Sequence, residues 1–142
     1  VLSHHIPMSQ IQILATDLDE NVIQKAKLGL YPERSLAEVP KDVQAKYFEQ
    51  EGQFFKVKDG VKRTVTFKKH NLLKDTYESN FDLIVCRNVM IYFTEEAKDQ
   101  IYMNFSKSLR SGGILFVGST EQIFNPGRYD FEVEDTFFYR KK

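Results

Sequence analysis

The sequence has no tryptophan, a single cysteine, no net charge and no long apolar run. One thiol, Cys86, excludes an internal disulfide framework and a cysteine-rich zinc site, and it indicates a cytoplasmic protein. Twenty lysine and arginine residues against twenty aspartate and glutamate residues give no case for nucleic-acid binding. No apolar stretch approaches the roughly 20 residues of a membrane-spanning helix, and residues 1–11 lack a signal-peptide pattern, so no membrane insertion is expected.

Clusters of metal-ligating or catalytic side chains are also missing from the sequence. His4 and His5 are adjacent, so they do not share one face of a helix or strand. His70 is better explained as a surface or hydrogen-bonded residue than as a ligand. We therefore predict no metal site, and the sequence shows no convincing Ser/His/Asp set or carboxylate pair.

The apolar content supports one folded α/β domain. The 142 residues are 42% hydrophobic and 13% aromatic, which suits a single core, since domains have roughly 100–200 residues. Short apolar runs alternate with helical patterns, which predicts an open α/β sheet with right-handed crossovers. Strands are predicted at 12–16, 81–86, 114–117 and 131–139, and helices are predicted to begin at Asp19 or Glu20, at Lys41 and at Glu95.

A different pattern interrupts the chain at about residues 50–69. Runs at 53–58 and 61–67 flank Asp59-Gly60, a dipeptide that permits the positive φ angles of a type I′ turn. We therefore predict a small antiparallel hairpin inserted in the α/β fold.

Polar side chains follow three of the predicted strands, where ligands bind in open α/β sheets. They are Asp17, then Asn71 beside Leu72, and then Arg87 with Asn88. A carboxylate suits the two hydroxyls of a ribose, and an amide suits the edge of an adenine. Arg87 and Asn88 have no evident packing role directly after a buried strand. From these residues alone, turn and helix-start roles remain open for all three groups.

The glycine-rich turn of a dinucleotide-binding fold is absent. Such a turn precedes the ribose-binding acid by roughly 20 residues, which from Asp17 leads to a position before Val1. The pair Gly112-Gly113 follows a helix and opens a strand, so it does not replace the turn. We therefore expect a sheet that lacks its first strand.

Four segments of the sequence resemble the CheR family of chemotaxis protein-glutamate O-methyltransferases. They are Ala15–Asp19 (ATDLD), Lys27–Tyr31 (KLGLY), Asn71–Leu73 (NLL) and Phe81–Phe93 (FDLIVCRNVMIYF), and they occur in the family's order. The resemblance implies a class I S-adenosylmethionine methyltransferase fold, Rossmann-like, with a small inserted antiparallel β-subdomain. Residues 1–142 would then form a partial catalytic domain.

The resemblance also implies a cofactor, a substrate and residue roles. S-adenosylmethionine would donate a methyl group to glutamates in the acidic helical region of methyl-accepting chemotaxis receptors, leaving S-adenosylhomocysteine. The ionised carboxylate is already nucleophilic, so no strong general base is required. The implied roles are ribose binding for Asp17, adenine contact for Asn71 and Leu72, lining of the cofactor site for Arg87 and Asn88, and proximity to the transferred methyl for Tyr92.

A basic stretch at 56–69 suggests how a receptor could bind. This stretch contains six basic residues and one acidic residue, which gives it a net charge of +5. The basic residues are Lys56, Lys58, Lys62, Arg63, Lys68 and Lys69, and the acidic one is Asp59. A basic stretch of this kind would suit the docking of an acidic helical bundle. Alternatively, its lysines would only protect a solvated strand edge from aggregation. Two other functions stay open: a non-catalytic receptor-binding module, and a generic nucleotide-binding α/β domain.

Overall fold

A computed structural model describes all 142 residues, in two compact units. The first unit is Val1–Asn71 and the second is Leu72–Lys142. No helix in either unit has the length and apolar character needed to cross a membrane. Parallel and antiparallel strands both occur, so the predicted α/β class is confirmed.

The first unit begins with a parallel strand pair and the helix that follows its first strand. Strand β1 (Ile13–Asp17) is followed by helix α1 (Glu20–Leu28). The Asp19 carboxylate caps this helix by accepting a hydrogen bond from the Asn21 N–H at 2.8 Å. Gly29 ends the helix at φ +69°, a conformation that glycine adopts without a side-chain clash. The parallel partner of β1 is the last strand of the unit.

The rest of the first unit contains a three-stranded antiparallel sheet in the order β2-β4-β3. Its strands are β2 (Leu30–Pro32), β3 (Phe48–Glu51) and β4 (Phe54–Val57), and helix α2 (Lys41–Tyr47) precedes β3. A single helical turn, α3 (Asp59–Lys62), then leads to β5 (Val65–Lys69), which pairs with β1. The antiparallel strands therefore lie between residues 30 and 57.

The predicted hairpin around Asp59-Gly60 is wrong. Gly60 does not have a positive φ angle, and the dipeptide opens the helical turn α3. The hairpin of this region turns instead at Gly52, where φ is +61°, and joins β3 to β4. The segment 61–67 was misassigned because its strand, β5, pairs in parallel with β1, about fifty residues earlier in the chain.

The second unit is a four-stranded mixed sheet covered by one long helix. Its first strand, β6 (Phe81–Cys86), is joined by helix α4 (Glu95–Ser108) to the parallel strand β7 (Leu109–Val117). The predicted start of α4 is confirmed, because the Thr94 hydroxyl accepts a hydrogen bond from the Ala97 N–H at 3.2 Å.

The end of the chain forms two strands where one was predicted. Strands β8 (Phe131–Asp135) and β9 (Phe138–Lys141) pair antiparallel, and the sheet order is β6-β7-β9-β8. Phe137 has φ +67° and reverses the chain between them. The single strand predicted at 131–139 is therefore wrong, because a hairpin lets β9 pair with β7 while β8 forms the edge.

Burial within the units positions the loops that follow the parallel strands. In the second unit, α4 and β7 enclose an apolar core that includes Met90, Ile101 and Leu115, each fully buried. Within its own unit, each of β1 and β6 has a strand neighbour on one edge only. On β6, Leu83 and Val85 are exposed by 42% and 59%.

Candidate functional site

Asp17 lies at the carboxyl end of β1 with an exposed side chain. Its Oδ1 accepts a hydrogen bond from the Asp19 N–H at 2.9 Å, and its backbone carbonyl accepts one from the His70 N–H at 3.0 Å. The carboxylate is exposed, so it can also face a ligand. The turn alternative is thus correct for Oδ1, and the carboxylate can accept further hydrogen bonds from a ligand.

Asn71 lies at the same edge of the first unit as Asp17. The parallel register pairs Asp17 with Lys69, two residues before Asn71. Because parallel strands end at one edge, the structure brings the carboxylate and the amide of this unit to the same end of the strand pair. The Asn71 side chain is half-buried.

Leu72 begins the second unit and is half-buried against its apolar core. Its carbonyl accepts a hydrogen bond from the Tyr77 hydroxyl at 2.7 Å. Burial raises the pKa of that hydroxyl to about 12. Leu72 is therefore fixed by its backbone, whereas its predicted contact with an adenine stays a prediction.

Arg87 and Asn88 directly follow β6 and are both exposed. Arg87 does have a packing partner, since its guanidinium lies 4.6 Å from the centre of the Phe116 ring on β7. The expectation that it has no packing role is therefore wrong. Asn88 has φ +60°, a left-handed conformation that asparagine adopts more readily than most residues, and it turns the chain away from the strand.

Tyr92 ends a short 3₁₀ turn over Met90–Tyr92. Met90 is fully buried in the core, while 85% of Tyr92 is exposed. The turn therefore has a fixed base and a free aromatic side chain at its tip. Nothing in the second unit holds the Tyr92 ring.

Glu121 is a buried acidic residue that was not predicted from the sequence. This residue follows β7, in a 3₁₀ turn over Ser119–Glu121, and it is fully buried. Its Oε1 accepts a hydrogen bond from the Val89 N–H at 2.7 Å. The only sequence signal was its place three residues after Gly118 at the end of a buried strand.

A groove lies away from the predicted site residues. It is an open groove of about 810 Å³ in the first unit, beside α2 and the β3–β4 hairpin. Its lining includes Lys41, Gln44, Phe48 and Phe55, and none of the residues predicted to bind a ligand. The candidate site is therefore defined by the side chains that follow the strands, and this groove is not part of it.

Sequence comparison places the chain among methyltransferases. Residues 2–138 match the family described as CheR methyltransferase, SAM binding domain. A chemotaxis protein methyltransferase of Listeria monocytogenes is 43% identical over 129 residues, which cover 91% of this chain and 49% of that protein. One of Borreliella burgdorferi is 38% identical over 125 residues, which cover 86% of this chain and 44% of that protein. The chain thus spans about half the length of these curated relatives.

Structural comparison supports the fold. A TehB-like SAM-dependent methyltransferase from Corynebacterium glutamicum matches with a TM-score of 0.52 at 19% identity, over 91% of this chain and 65% of that chain. At this identity the likeness concerns the fold alone. Together with the family match over nearly the whole sequence, these findings show that the chain belongs to the CheR methyltransferase family, as its S-adenosylmethionine-binding domain.

Proposed function

We propose that this chain is the cofactor-binding part of a cytoplasmic chemotaxis methyltransferase that forms methyl esters on receptor glutamate side chains. The observation that carries the proposal is the family match over residues 2–138. The names of the relatives from Listeria and Borreliella, chemotaxis protein methyltransferases, point to the same activity. We assign the activity to the whole protein, since this chain spans about half the length of those relatives.

In the first unit, Asp17 and Asn71 have the chemistry that an adenosyl group requires. Asp17 presents an exposed carboxylate, which can accept hydrogen bonds from the ribose hydroxyls as well as from the Asp19 N–H. Asn71, at the same edge, offers the donor and acceptor that match the edge of an adenine. The residues present therefore fit the cofactor, and we assign the ribose to Asp17 and the adenine to Asn71.

In the second unit, the assignments follow the loop after β6. We propose that Leu72 contacts the adenine ring, that Arg87 and Asn88 line the cofactor site, and that Tyr92 lies near the transferred methyl group. The Arg87 guanidinium lies against the Phe116 ring, and the left-handed φ of Asn88 turns the backbone just after the strand. The exposure of Tyr92 leaves it accessible to a substrate.

The reaction requires positioning more than acid–base catalysis. When bound, S-adenosylmethionine would supply an electrophilic methyl group to the glutamate carboxylate. No proton has to be removed, because the carboxylate is ionised at neutral pH. Asp17, Arg87 and Asn88 therefore contribute by holding the reactants in register.

The basic residues at 56–69 support a docking surface for the acidic receptor region. Lys58 and Lys62 donate to the backbone carbonyls of Ala45 and Leu28, so their ammonium groups also stabilise the first unit. Arg63, Lys68 and Lys69 are exposed and form no ion pair. These three residues, which we call the basic patch, are free to meet an acidic partner.

Calorimetric titration of the chain with S-adenosylhomocysteine tests the proposal. We expect binding, and we expect Asp17→Asn to weaken it about tenfold, because the amide keeps an acceptor for the Asp19 N–H but loses the charged acceptor for the ribose. Asp42→Asn, on the exposed first turn of α2, is the matched control and should bind as the wild type does.

Two outcomes of this titration would count against the assignment. Equal affinity for the wild type and Asp17→Asn would remove Asp17 from the site. A chain that binds no S-adenosylhomocysteine but retains receptor binding would favour the alternative, a non-catalytic receptor-binding module.

A further inference from the structure

Glu121 is the one acidic residue whose side chain is fully buried, and it forms no salt bridge. Its carboxylate instead accepts hydrogen bonds from two groups of the second unit. The Val89 N–H donates to Oε1 at 2.7 Å, and the Thr120 hydroxyl is bonded to Oε2. A buried carboxyl group is unfavourable unless it is hydrogen-bonded, so these contacts account for its tolerance in the core. They do not by themselves explain why a carboxylate occurs there.

The backbone around Glu121 is fixed independently of the carboxylate. Its N–H donates to the Gly118 carbonyl at 3.1 Å, and its own carbonyl accepts a hydrogen bond from the Tyr102 hydroxyl at 3.1 Å. The side chain therefore extends from a rigid base on the turn after β7 to the loop after β6. The negative charge of Glu121 also adds to the effect of burial in raising the pKa of the Tyr102 hydroxyl and of the Cys86 thiol.

The acceptor that Glu121 provides lies directly behind two proposed cofactor residues. Val89 follows Arg87 and Asn88 and lies beyond the end of β6, where Asn88 has a left-handed φ. The Glu121 carboxylate supplies an acceptor for the Val89 N–H. The fully buried Met90 fixes the chain one residue later. The loop is thus held at two consecutive residues, one by a hydrogen bond and one by packing.

Gly118 allows the turn and the loop to approach each other. A Cβ atom at this position would lie 2.8 Å from the Asn88 Oδ1, 3.0 Å from the Glu121 Oε2 and 3.1 Å from the Asn88 N. The first distance is shorter than real Cβ contacts, and Asn88 would have to move. The φ of Gly118 is an ordinary −85°, so the backbone conformation does not call for glycine here. The lack of space for a Cβ atom does.

We propose that Glu121 is a positioning residue: its carboxylate, with the space left by Gly118, sets the conformation of the loop Arg87–Val89. The effect on the cofactor rests on the proposed function, because it acts through Arg87 and Asn88. The hydrogen bond to Val89 is a property of the chain alone and is tested without a cofactor.

Hydrogen exchange of the Val89 amide, followed by NMR, is the direct test. In the wild type this amide is protected by the carboxylate. Glu121→Gln keeps a side-chain oxygen acceptor and should keep the protection, whereas Glu121→Leu fills similar space without an acceptor and should speed exchange about tenfold or more. Unchanged protection in Glu121→Leu would overturn the proposal.

Affinity for S-adenosylhomocysteine separates positioning from stability alone. We expect Glu121→Leu to weaken binding about tenfold and Glu121→Gln to restore it. The control is Lys141→Met, which removes an ammonium group that donates to the Ser106 and Leu109 carbonyls, at the end of β7 opposite Glu121. It should lower the melting temperature and leave the affinity unchanged. If Glu121→Leu and the control both lose affinity in proportion to their loss of stability, Glu121 has only a structural role and the proposal fails.

A second pair of variants covers the case in which Glu121→Leu does not fold. Gly118→Ala should displace Asn88 and speed exchange at Val89, while Gly127→Ala, where no atom lies within 4 Å of the added Cβ, should not. Equal exchange in these two variants would overturn the proposal. A wild-type chain that binds no S-adenosylhomocysteine would instead overturn the proposed function, and the Val89 measurement would still decide whether Glu121 holds the loop.

Discussion

The two units of the chain hold their proposed functional residues in different ways. Twelve of the fifteen buried hydrophobic side chains belong to the second unit and three to the first. In the second unit the loop after β6 is fixed by the buried Met90, by the ring of Phe116 and by the carboxylate of Glu121. In the first unit, Asp17 is fixed by backbone pairing and by one turn hydrogen bond. Packing thus helps to position the loop after β6, and local hydrogen bonding positions Asp17.

The largest expected effect is on stability, where the two cores differ. Ile101 is fully buried in the large core of the second unit, and Ile23 is 3% exposed in the sparse core of the first. We expect Ile101→Ala to lower the free energy of unfolding by about 4–5 kcal/mol and Ile23→Ala by only about 2 kcal/mol, because sparse surroundings relax more easily around a cavity. Equilibrium denaturation in urea, followed separately by probes in each unit, measures both values. Equal losses of unfolding free energy in Ile101→Ala and Ile23→Ala would contradict this difference between the two cores.

The second effect is chemical protection of the only thiol. Burial raises the pKa of Cys86 to about 12, with a further contribution from the negative charge of Glu121, so the thiol remains protonated at pH 8. With a thiolate fraction of roughly 10⁻⁴, labelling by a disulfide reagent should be about a thousandfold slower than for an unfolded chain. The rate should rise with pH until the pKa is reached.

A cysteine placed in the first unit provides the matched control for that measurement. Thr16 is exposed on β1, so Thr16→Cys should label at an ordinary rate in the same protein while Cys86 does not. Fast labelling of both thiols at pH 8 would show that the second unit does not exclude the reagent.

The smallest effect concerns the basic patch. Charge reversal by Arg63→Glu with Lys68→Glu should weaken binding to an acidic receptor fragment several-fold at low ionic strength, and less at 0.5 M salt, because surface electrostatics is screened. The control pair in the second unit is Lys107→Glu with Lys142→Glu, at two exposed positions. If the two pairs of variants weaken binding equally, the net charge of the chain determines the binding, and the basic patch is not a docking surface.

Local signals in the sequence predicted the starts of α1, α2 and α4, whereas long-range pairing was not visible there. The caps of α1 and α4 lie within three residues of the groups that they bond, so Asp19 and Thr94 could be identified directly. The partner of β5 is β1, far away along the chain, and an Asp-Gly dipeptide suggested a nearer one. A glycine permits a positive φ angle without requiring it, which is why Asp59-Gly60 misled the interpretation.

The candidate site was predictable to the extent that its residues follow strands. Asp17, Asn71, Arg87 and Asn88 stand where ligands bind in α/β sheets, and the CheR-like motif assigned their roles. Glu121 was not predictable, because its carboxylate acts on a backbone N–H thirty-two positions away. The contact between Arg87 and Phe116 was missed for the same reason, since it depends on the register of β6 and β7.

The central proposal is that this chain binds S-adenosylmethionine through residues that follow its parallel strands. Titration of the isotope-labelled chain with S-adenosylhomocysteine, followed by the backbone amide resonances, tests it most directly. We expect saturable shifts at Asp17 and Asn71 and at Arg87 and Asn88, all with one dissociation constant. Shifts confined to one of these pairs, or centred on the groove beside α2, would contradict the claim.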